Sequence, residues 1–198
     1  MIFCLFIGII ISVFTDYYFT FRAKVSDRIL KALQNRFAKY QLQLHPEKTS
    51  VFSFGRYERQ NARKEGRKAN TFDFLGFTHY CDVARKGHFK VGRKTSAKKY
   101  RAKAKALNLW LKAVRNLVLT KDWWKTLRSK LRGHYEYYGV SENSRDIHKF
   151  YKLAIKLARK WMNRRSQKKA MSWKKMNDYL ALYPLPQPRI RHNFYAVT

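Results

Sequence analysis

The chain is organised around one stretch, Thr71–Ser96, which reads TFDFLGFTHYCDVARKGHFKVGRKTS. Its first part is aromatic and β-branched, which predicts a strand, and Gly76 within it lets another backbone or a ligand come close. Lys86-Gly87 predicts a turn and Phe89–Val91 a returning strand, so we expect a hairpin with an apolar root. Its tip, which favours an anionic partner, carries Arg85, Lys86, Lys90, Arg93 and Lys94.

The charge balance points to a polyanionic partner. Among 198 residues, 44 are Lys or Arg and 12 are Asp or Glu, which gives a net charge of +32. Such self-repulsion favours nucleic acid as the partner, or else an anionic membrane surface. Aromatic residues make up 16% of the chain, which excludes a disordered basic tail. We therefore expect one or two modest cores with the charge on folded faces.

The sequence gives little support to a disulfide framework, a metal site, a phosphate-binding loop or a catalytic triad. Cys4 and Cys81 form neither a disulfide framework nor a zinc spacing, which indicates a reducing compartment. Strand alternation puts Asp73, His79 and Cys81 on one side, but these residue types are mostly structural or solvated, and we predict no metal site. The sequence has no Gly-rich phosphate loop and no Ser-His-Asp order.

The front of the chain is apolar and then strand-like. Met1–Phe14 is almost wholly apolar, and a membrane span of about 20 residues would have to carry Asp16. We favour a buried strand remnant and keep a membrane anchor over Met1–Phe21 as the alternative. Beyond it we predict a helix over Asp27–Tyr40, capped by Ser26, with a core stripe of Leu30, Leu33, Phe37 and Tyr40.

The segment before the hairpin is predicted to hold two strands and a linker. Gln41–Leu44 and Thr49–Phe54 alternate like strands around a turn at His45-Pro46. Gly55–Asn70 is polar and basic, which indicates a loop or a frayed helix, either solvated or in contact with RNA.

The rear of the chain predicts four helices. The first follows Thr95 or Ser96, the second runs from Asp122 to Gly139, the third is capped by Ser144, and the last runs from Ser172 to Pro184. Gly133 is expected to permit close helix packing. The apolar stripes are Tyr100, Leu107, Leu111, Val114 and Val118; Trp124, Leu127, Leu131, Tyr135 and Tyr138; and Ile147, Tyr151, Ala154, Ala158 and Trp161.

Two of these helices also carry basic stripes beside the apolar ones. The members are Arg101, Lys105, Lys112 and Arg115 on the first helix, and Lys125, Arg128 and Arg132 on the second. The first stripe has no acidic residue four positions away, so ordinary helix salt bridges do not explain it. We predict that it contacts phosphate groups.

The core Phe74-Leu75-Gly76-Phe77, preceded by Leu44-His45-Pro46-Glu47-Lys48-Thr49, closely resembles the reverse transcriptase/maturase proteins of group II introns. The resemblance implies that the first motif is the primer grip, the last palm segment, and the second the segment before it. Tyr135-Glu136-Tyr137-Tyr138-Gly139 and Arg164-Arg165-Ser166-Gln167 are similar to parts of the family's helical thumb. The resemblance runs from about Asp16 to the C-terminus.

The resemblance also implies that the chain lacks the family's paired catalytic aspartates. The family's catalytic metals need two adjacent aspartates, and the nearest match, Phe14–Tyr17, offers only Asp16. We therefore expect a truncated fragment that is not an active polymerase alone and has no cofactor, since Mg²⁺ belongs to the intact enzyme. The resemblance adds Lys48 as a phosphate or primer contact. The predicted RNA contacts further include Lys86, Lys90, Arg93, Lys94, Arg164 and Arg165.

The sequence thus predicts an α+β fold with an apolar segment at 1–15, the end of a palm at 16–95 and a thumb or maturase domain at 96–198. The predicted function is to bind group II intron RNA, or other structured RNA, and assist splicing and mobility. A separate chain carrying the fingers and palm is a further expected partner, and no small-molecule substrate is expected. We expect a cytoplasmic, RNA-associated protein. The alternatives are a membrane-tethered basic protein that binds RNA or lipid, a ribosomal-type RNA-binding protein, and an inactive pseudogene product.

Overall fold

The computed structural model describes residues 19–45, 49–165 and 170–194. Within them lie six helices and one antiparallel three-stranded sheet of order β1-β2-β3, which confirms the α+β fold. The elements are α1 (Phe19–Lys39), α2 (Glu58–Lys64), β1 (Thr71–Phe74), β2 (Phe77–Val83), β3 (Phe89–Thr95), α3 (Ala97–Val114), α4 (Thr120–Tyr138), α5 (Ser144–Asn163) and α6 (Trp173–Leu182). The predictions on Met1–Phe14, Asp16 and Lys48 fall outside the described residues.

The chain divides into two compact units, and the division runs through the sheet. The first unit contains the described residues up to Phe74 together with Tyr80–Val91. The second contains Leu75–His79 and the described residues from Gly92 onward.

The sheet contains one turn more than the sequence predicts. The stretch expected to be a single strand through Gly76 is instead two strands, joined by a two-residue turn at Leu75-Gly76. Both turn residues have positive φ, 47° at Leu75 and 82° at Gly76, as a type I′ hairpin turn requires. The hairpin of β2 and β3 is confirmed, and its turn is closed by the Ala84 amide, which donates to the His88 carbonyl at 2.7 Å.

The first unit differs from its predicted form at α1 and in the segment after it. Ser26 is not an N-cap, because α1 already begins at Phe19. Of the predicted stripe, Leu30, Leu33 and Phe37 are half-buried, whereas Tyr40, just beyond the helix, is 68% exposed, so the stripe is the less exposed face of α1 and not a fully buried core. The structure has no strand in the described parts of 41–54. There Phe52 and Phe54 pack on Phe72, with ring centroids 5.7 and 5.0 Å away.

The polar segment before β1 contains a short helix, α2, built around a buried carboxylate. Glu58 is 3% exposed and accepts hydrogen bonds from Arg67 Nη1 at 2.6 Å, from the Asn70 amide at 3.0 Å and from the Ser53 hydroxyl. Burial raises the pKa of Glu58, but these hydrogen bonds outweigh it and leave the pKa below its ordinary value. Arg67 therefore has a structural partner within this unit.

The second unit is built on the apolar faces of α3–α5, as the sequence predicts, and α6 adds the buried Met176. Of the predicted inward residues, all on α4 are buried, and those on α3 and α5 are buried or pack against the buried cluster. The buried cluster consists of Leu107, Leu111, Trp123, Trp124, Leu127, Leu131, Tyr135, Tyr138, Ile147, Phe150, Ala154, Ala158, Trp161, Met176 and Leu185.

The helix boundaries show which cap predictions hold. Ser172 caps α6 and accepts from the Lys175 amide at 3.3 Å, and Gly139 ends α4, both as predicted. The predicted caps Asp122 and Ser144 are wrong, because α4 starts at Thr120 and the N-cap of α5 is Asn143.

Asn143 is fixed by contacts outside its own helix. Its Oδ1 accepts from the Thr95 amide at 2.8 Å, and its Nδ2 donates to the Tyr138 carbonyl at 2.8 Å. It is buried, so these bonds satisfy groups that would otherwise be costly to remove from water. The side chain thereby joins the end of β3 to the connection between α4 and α5.

Candidate nucleic-acid interface

Helices α3, α4 and α5 carry positive charge that nearby acids do not neutralise. Ala97–Asn163 contains 18 Lys and Arg against 4 Asp and Glu. In the described part of the chain, none of these 18 cations forms an ion pair with a carboxylate. Surface helices usually offset part of their charge through pairs three or four residues apart. Here most of the cations face solvent, and their positive potential is retained.

The predicted α3 stripe occupies one face of the helix. Arg101, Lys105, Lys112 and Arg115 follow one another at spacings of 4, 7 and 3, so their side chains share a face. The first three are exposed and Arg115 is half-buried. Leu107 and Leu111 are buried on the core face of the same helix.

On α4, two of the predicted basic residues are exposed and the third is held closer to the core. Lys125 and Arg132 are exposed, whereas Arg128 is half-buried. Its Nε is buried with no hydrogen-bond partner among the described residues. RNA contact by both stripes stays a prediction.

Three cations gather around Trp161 at the end of α5, and we call this group the Trp161 cluster. The charged groups of Arg115, Lys160 and Arg164 lie 4.8, 5.1 and 5.4 Å from the ring centroid. The buried indole donates to Asn108 Oδ1 at 2.9 Å, which fixes the ring. Cations are attracted to the face of an aromatic ring, so the ring concentrates positive charge without neutralising it.

The Trp161 cluster contains two predicted contact residues, Arg115 from the α3 stripe and Arg164, and one that was missed, Lys160. Arg164 was predicted from the resemblance, and Lys160 was not predicted. The neighbouring Arg165, also predicted, donates to the Thr120 hydroxyl and therefore has a partner within the unit. The sequence positions of Trp161 and Lys160 do not indicate this grouping, because the third cation, Arg115, comes from α3.

The basic hairpin tip is smaller than predicted. Arg85 and Lys86 are exposed in the turn, but Lys90 lies 3.5 Å from Asp82, whose carboxylate also pairs with Arg59 at 3.2 Å. Arg93 and Lys94 are not at the tip, because they lie near the other end of β3. The Arg93 guanidinium packs 4.7 Å from the ring centroid of Phe194. Of the five residues predicted at the tip, Arg85 and Lys86 are the two that lie exposed in the turn.

The primer-grip-like residues adjoin the end of α4. The Tyr137 hydroxyl donates to the Leu75 carbonyl at 2.7 Å, and the Phe77 ring stacks on Tyr137 with centroids 5.9 Å apart. A Cβ on Gly76 would lie 3.2 Å from the Tyr138 hydroxyl, so the close approach expected at this glycine is made by a tyrosine. Leu75 itself remains 67% exposed, and Phe74 is also exposed.

A buried histidine on α4 was not predicted. His134 is 5% exposed, and its ring stacks on Phe150 at a centroid distance of 3.9 Å. Burial, together with the charge of Lys103, lowers the pKa of His134 to about 4. The imidazole is therefore neutral at pH 7. Its spacing from Leu127 and Leu131 puts it on the same helical face, which was the available sequence signal.

The described residues hold no group of three or more His, Cys, Asp or Glu side chains arranged to bind a metal ion. Among the same residues, no helix combines the length and apolar character needed to cross a bilayer. The membrane segment considered over Met1–Phe21 lies mainly outside the described part of the chain.

Comparison of the chain with models of protein families, with curated proteins and with solved structures finds no match. The resemblance to group II intron proteins therefore stays a prediction from the motifs.

We expect Gly76→Ala to destabilise the protein more than Gly87→Ala does. Both glycines have φ near 80°, which costs a side-chain-bearing residue about 1–2 kcal/mol. Only at Gly76 does the added Cβ meet a neighbour, the Tyr138 hydroxyl, whereas Gly87 has open space. Urea unfolding of both variants measures the difference, and equal decreases in stability would show that the crowding at Gly76 has no energetic weight.

We expect His134 to make the protein sensitive to acid. The unfolded histidine binds a proton near pH 6.5 and the folded one only near 4. His134 therefore leaves the free energy of unfolding unchanged above about pH 6.5 and lowers it as the pH drops towards 4. At pH 5 this amounts to about 2 kcal/mol. Unfolding free energies of wild type and His134→Phe at pH 7 and pH 5 measure it. A wild-type-to-variant difference that is the same at both pH values contradicts the expectation.

Proposed function

We propose that this chain is the RNA-binding C-terminal part of a group II intron reverse transcriptase/maturase, which holds intron RNA and so assists its splicing. The observation that carries the RNA-binding part is the unpaired positive charge of α3, α4 and α5. The family assignment is supported by the motif residues alone.

The charge favours a polyanion for a thermodynamic reason. RNA carries condensed counterions, and each phosphate that a lysine or arginine neutralises releases some of them into solution. Cations already paired with acids would gain little from such an exchange. Those on α3–α5 have no acidic partner within the described residues, so their exchange with RNA is favourable.

The surface is suited to holding RNA by its shape. Lysine and arginine contacts to phosphates fix position and register but read little sequence, and double-stranded RNA is recognised mainly in this way. Such contacts stabilise a folded RNA without any bond being made or broken by the protein. This is the contribution that we assign to the region in splicing.

Two features connect this role to the family named above. The Leu75–Phe77 turn and Tyr137-Tyr138 both belong to the resemblance, and they contact each other in the second unit. Polymerisation needs paired carboxylates to hold two metal ions, and no two aspartates are adjacent anywhere in the sequence. We therefore assign RNA binding, and not nucleotide addition, to this chain.

We expect neutralisation of the α3 stripe to weaken RNA binding and its dependence on salt. The test variant is Arg101→Gln, Lys105→Gln and Lys112→Gln combined, because these three side chains are exposed on one face. Affinity for a folded group II intron RNA, measured by fluorescence anisotropy between 50 and 300 mM KCl, should fall at every concentration. A plot of the logarithm of the binding constant against the logarithm of the KCl concentration has a negative slope. Its magnitude should decrease by about 1 for each phosphate that the variant no longer neutralises.

The matched control carries Lys31→Gln, Arg36→Gln and Lys39→Gln on α1, which removes the same charge from exposed positions of another helix. If the control weakens binding as much as the α3 variant, net charge alone governs binding and the assigned surface is wrong. Affinity of the wild type that does not change with salt would overturn RNA binding by charge. Primer extension by the purified chain would overturn the absence of polymerase activity.

A further inference from the structure

A cavity lies between α3 and α4, away from the predicted basic stripes. Its volume is about 250 Å³, close to the lower end of small-ligand pockets. It lies wholly within the second unit and contains no acidic residue in its lining. Its lining consists of Lys103, Ala106, Leu107, Trp110, Leu127, Lys130, Leu131, Gly133, His134 and Phe150.

Gly133 keeps one wall of this cavity free of a side chain. The sequence predicted that this glycine allows close packing of another helix, and that prediction is wrong, because a Cβ added there meets nothing within 4 Å. Glycine inside a helix costs about 1 kcal/mol relative to alanine. The described structure shows no packing contact that offsets this cost, but it does show an open cavity beside the residue.

Apart from its two lysines, the remaining lining is mostly apolar and partly aromatic. Trp110, His134 and Phe150 supply rings, and His134 is stacked on Phe150. The Nδ1 of His134 is buried with no hydrogen-bond partner among the described residues. Because protein covers that atom, His134 offers the cavity its ring and no hydrogen bond from Nδ1.

The two lysines of the lining lie on the two helices that form the cavity, one on each. Lys103 on α3 and Lys130 on α4 are exposed, and each places its ammonium group near an aromatic ring, 5.3 Å from Tyr138 and 4.9 Å from Trp110 respectively. Two flexible cations on opposite helices beside an apolar cavity suit a ligand that is flat and apolar in its middle and anionic on both sides.

We infer that this cavity binds one unpaired nucleobase of an RNA, with the phosphates on either side of it held by Lys103 and Lys130. The inference rests on the proposed RNA binding and adds a site to it. Bases that leave the helical stack bind on aromatic side chains, whereas paired bases are held within the duplex. The site thus distinguishes RNA with a bulged or looped-out nucleotide from continuous duplex.

The test compares two RNA hairpins that differ only in one bulged 2-aminopurine, each mixed with the full chain. Entry of the base into the cavity quenches its fluorescence, because it stacks against aromatic rings. The bulged hairpin should also bind about 5- to 150-fold more tightly than the paired one, the range observed for stacking of a single base on an aromatic side chain.

Gly133→Leu is the blocking variant, because Gly133 lines the cavity and a Cβ there stands in open space. It should abolish both the quenching and the preference for the bulge while leaving affinity for the paired hairpin unchanged. Gly133→Ala is the matched control and should retain the preference. Thermal unfolding of both variants checks that each remains folded. We expect this because leucine and alanine both favour the helix over glycine.

Two failures are distinguishable. If the paired hairpin binds with strong salt dependence but the bulge adds neither affinity nor quenching, the cavity assignment is wrong and the proposed RNA binding stands. If Gly133→Leu keeps the bulge preference, the base binds elsewhere and the assignment is equally wrong. If neither hairpin binds, the proposed function and the site both fail.

Discussion

The structure of the second unit depends on the burial of three apolar helix faces, those of α3, α4 and α5, against one another. Large aromatic and aliphatic residues occupy these faces, among them Trp123, Leu127 and Ile147. Each such side chain gains about 1.5–3 kcal/mol on leaving water, whereas burying the charge of a lysine or arginine without a partner is costly. The cations on these helices are therefore excluded from the core and gather on the faces that remain. Core formation and the basic surface are two results of one sequence pattern.

Aromatic rings then hold several of these cations in place of acids. Lys149 lies 5.2 Å from the Tyr100 ring, Arg159 lies 4.4 Å from the Trp173 ring, and the Trp161 cluster repeats the arrangement three times. A carboxylate in the same place would cancel the charge. A ring orients the side chain and leaves its charge available to a phosphate. The high aromatic content and the high positive charge of the chain are thus physically connected.

The sequence predicted the rear helices and their buried faces because stripes of large side chains at helical spacing leave little choice of face. It predicted less where structure depends on partners distant in sequence. The alternation of 41–44 and 49–54 suggested strands, but a strand needs a neighbour to satisfy its backbone groups, and neither segment forms one in the described residues. The turn at Leu75-Gly76 was missed because leucine seldom adopts positive φ, so only its glycine gave a signal.

The sequence predicted which basic residues share a face of one helix, but not which cations from different helices lie together. Spacing was enough to place Arg101, Lys105 and Lys112 on one face. It could not show that Arg115 joins Lys160 and Arg164 around one ring, because that grouping depends on how α3 packs against α5. It also could not show that the space beside Gly133 is open. The positions of side chains from different helices are decided by tertiary packing.

The chemical reactivity of individual lysines, with and without bound RNA, shows directly whether RNA binds to α3 and α4. The free chain and its complex with folded group II intron RNA are acetylated briefly, and the modified lysines are identified by mass spectrometry. We expect Lys105, Lys112 and Lys125 to become protected on binding, while Lys31 and Lys39 of α1 react as before. Protection spread evenly over both groups, or absent from α3 and α4, would contradict this expectation.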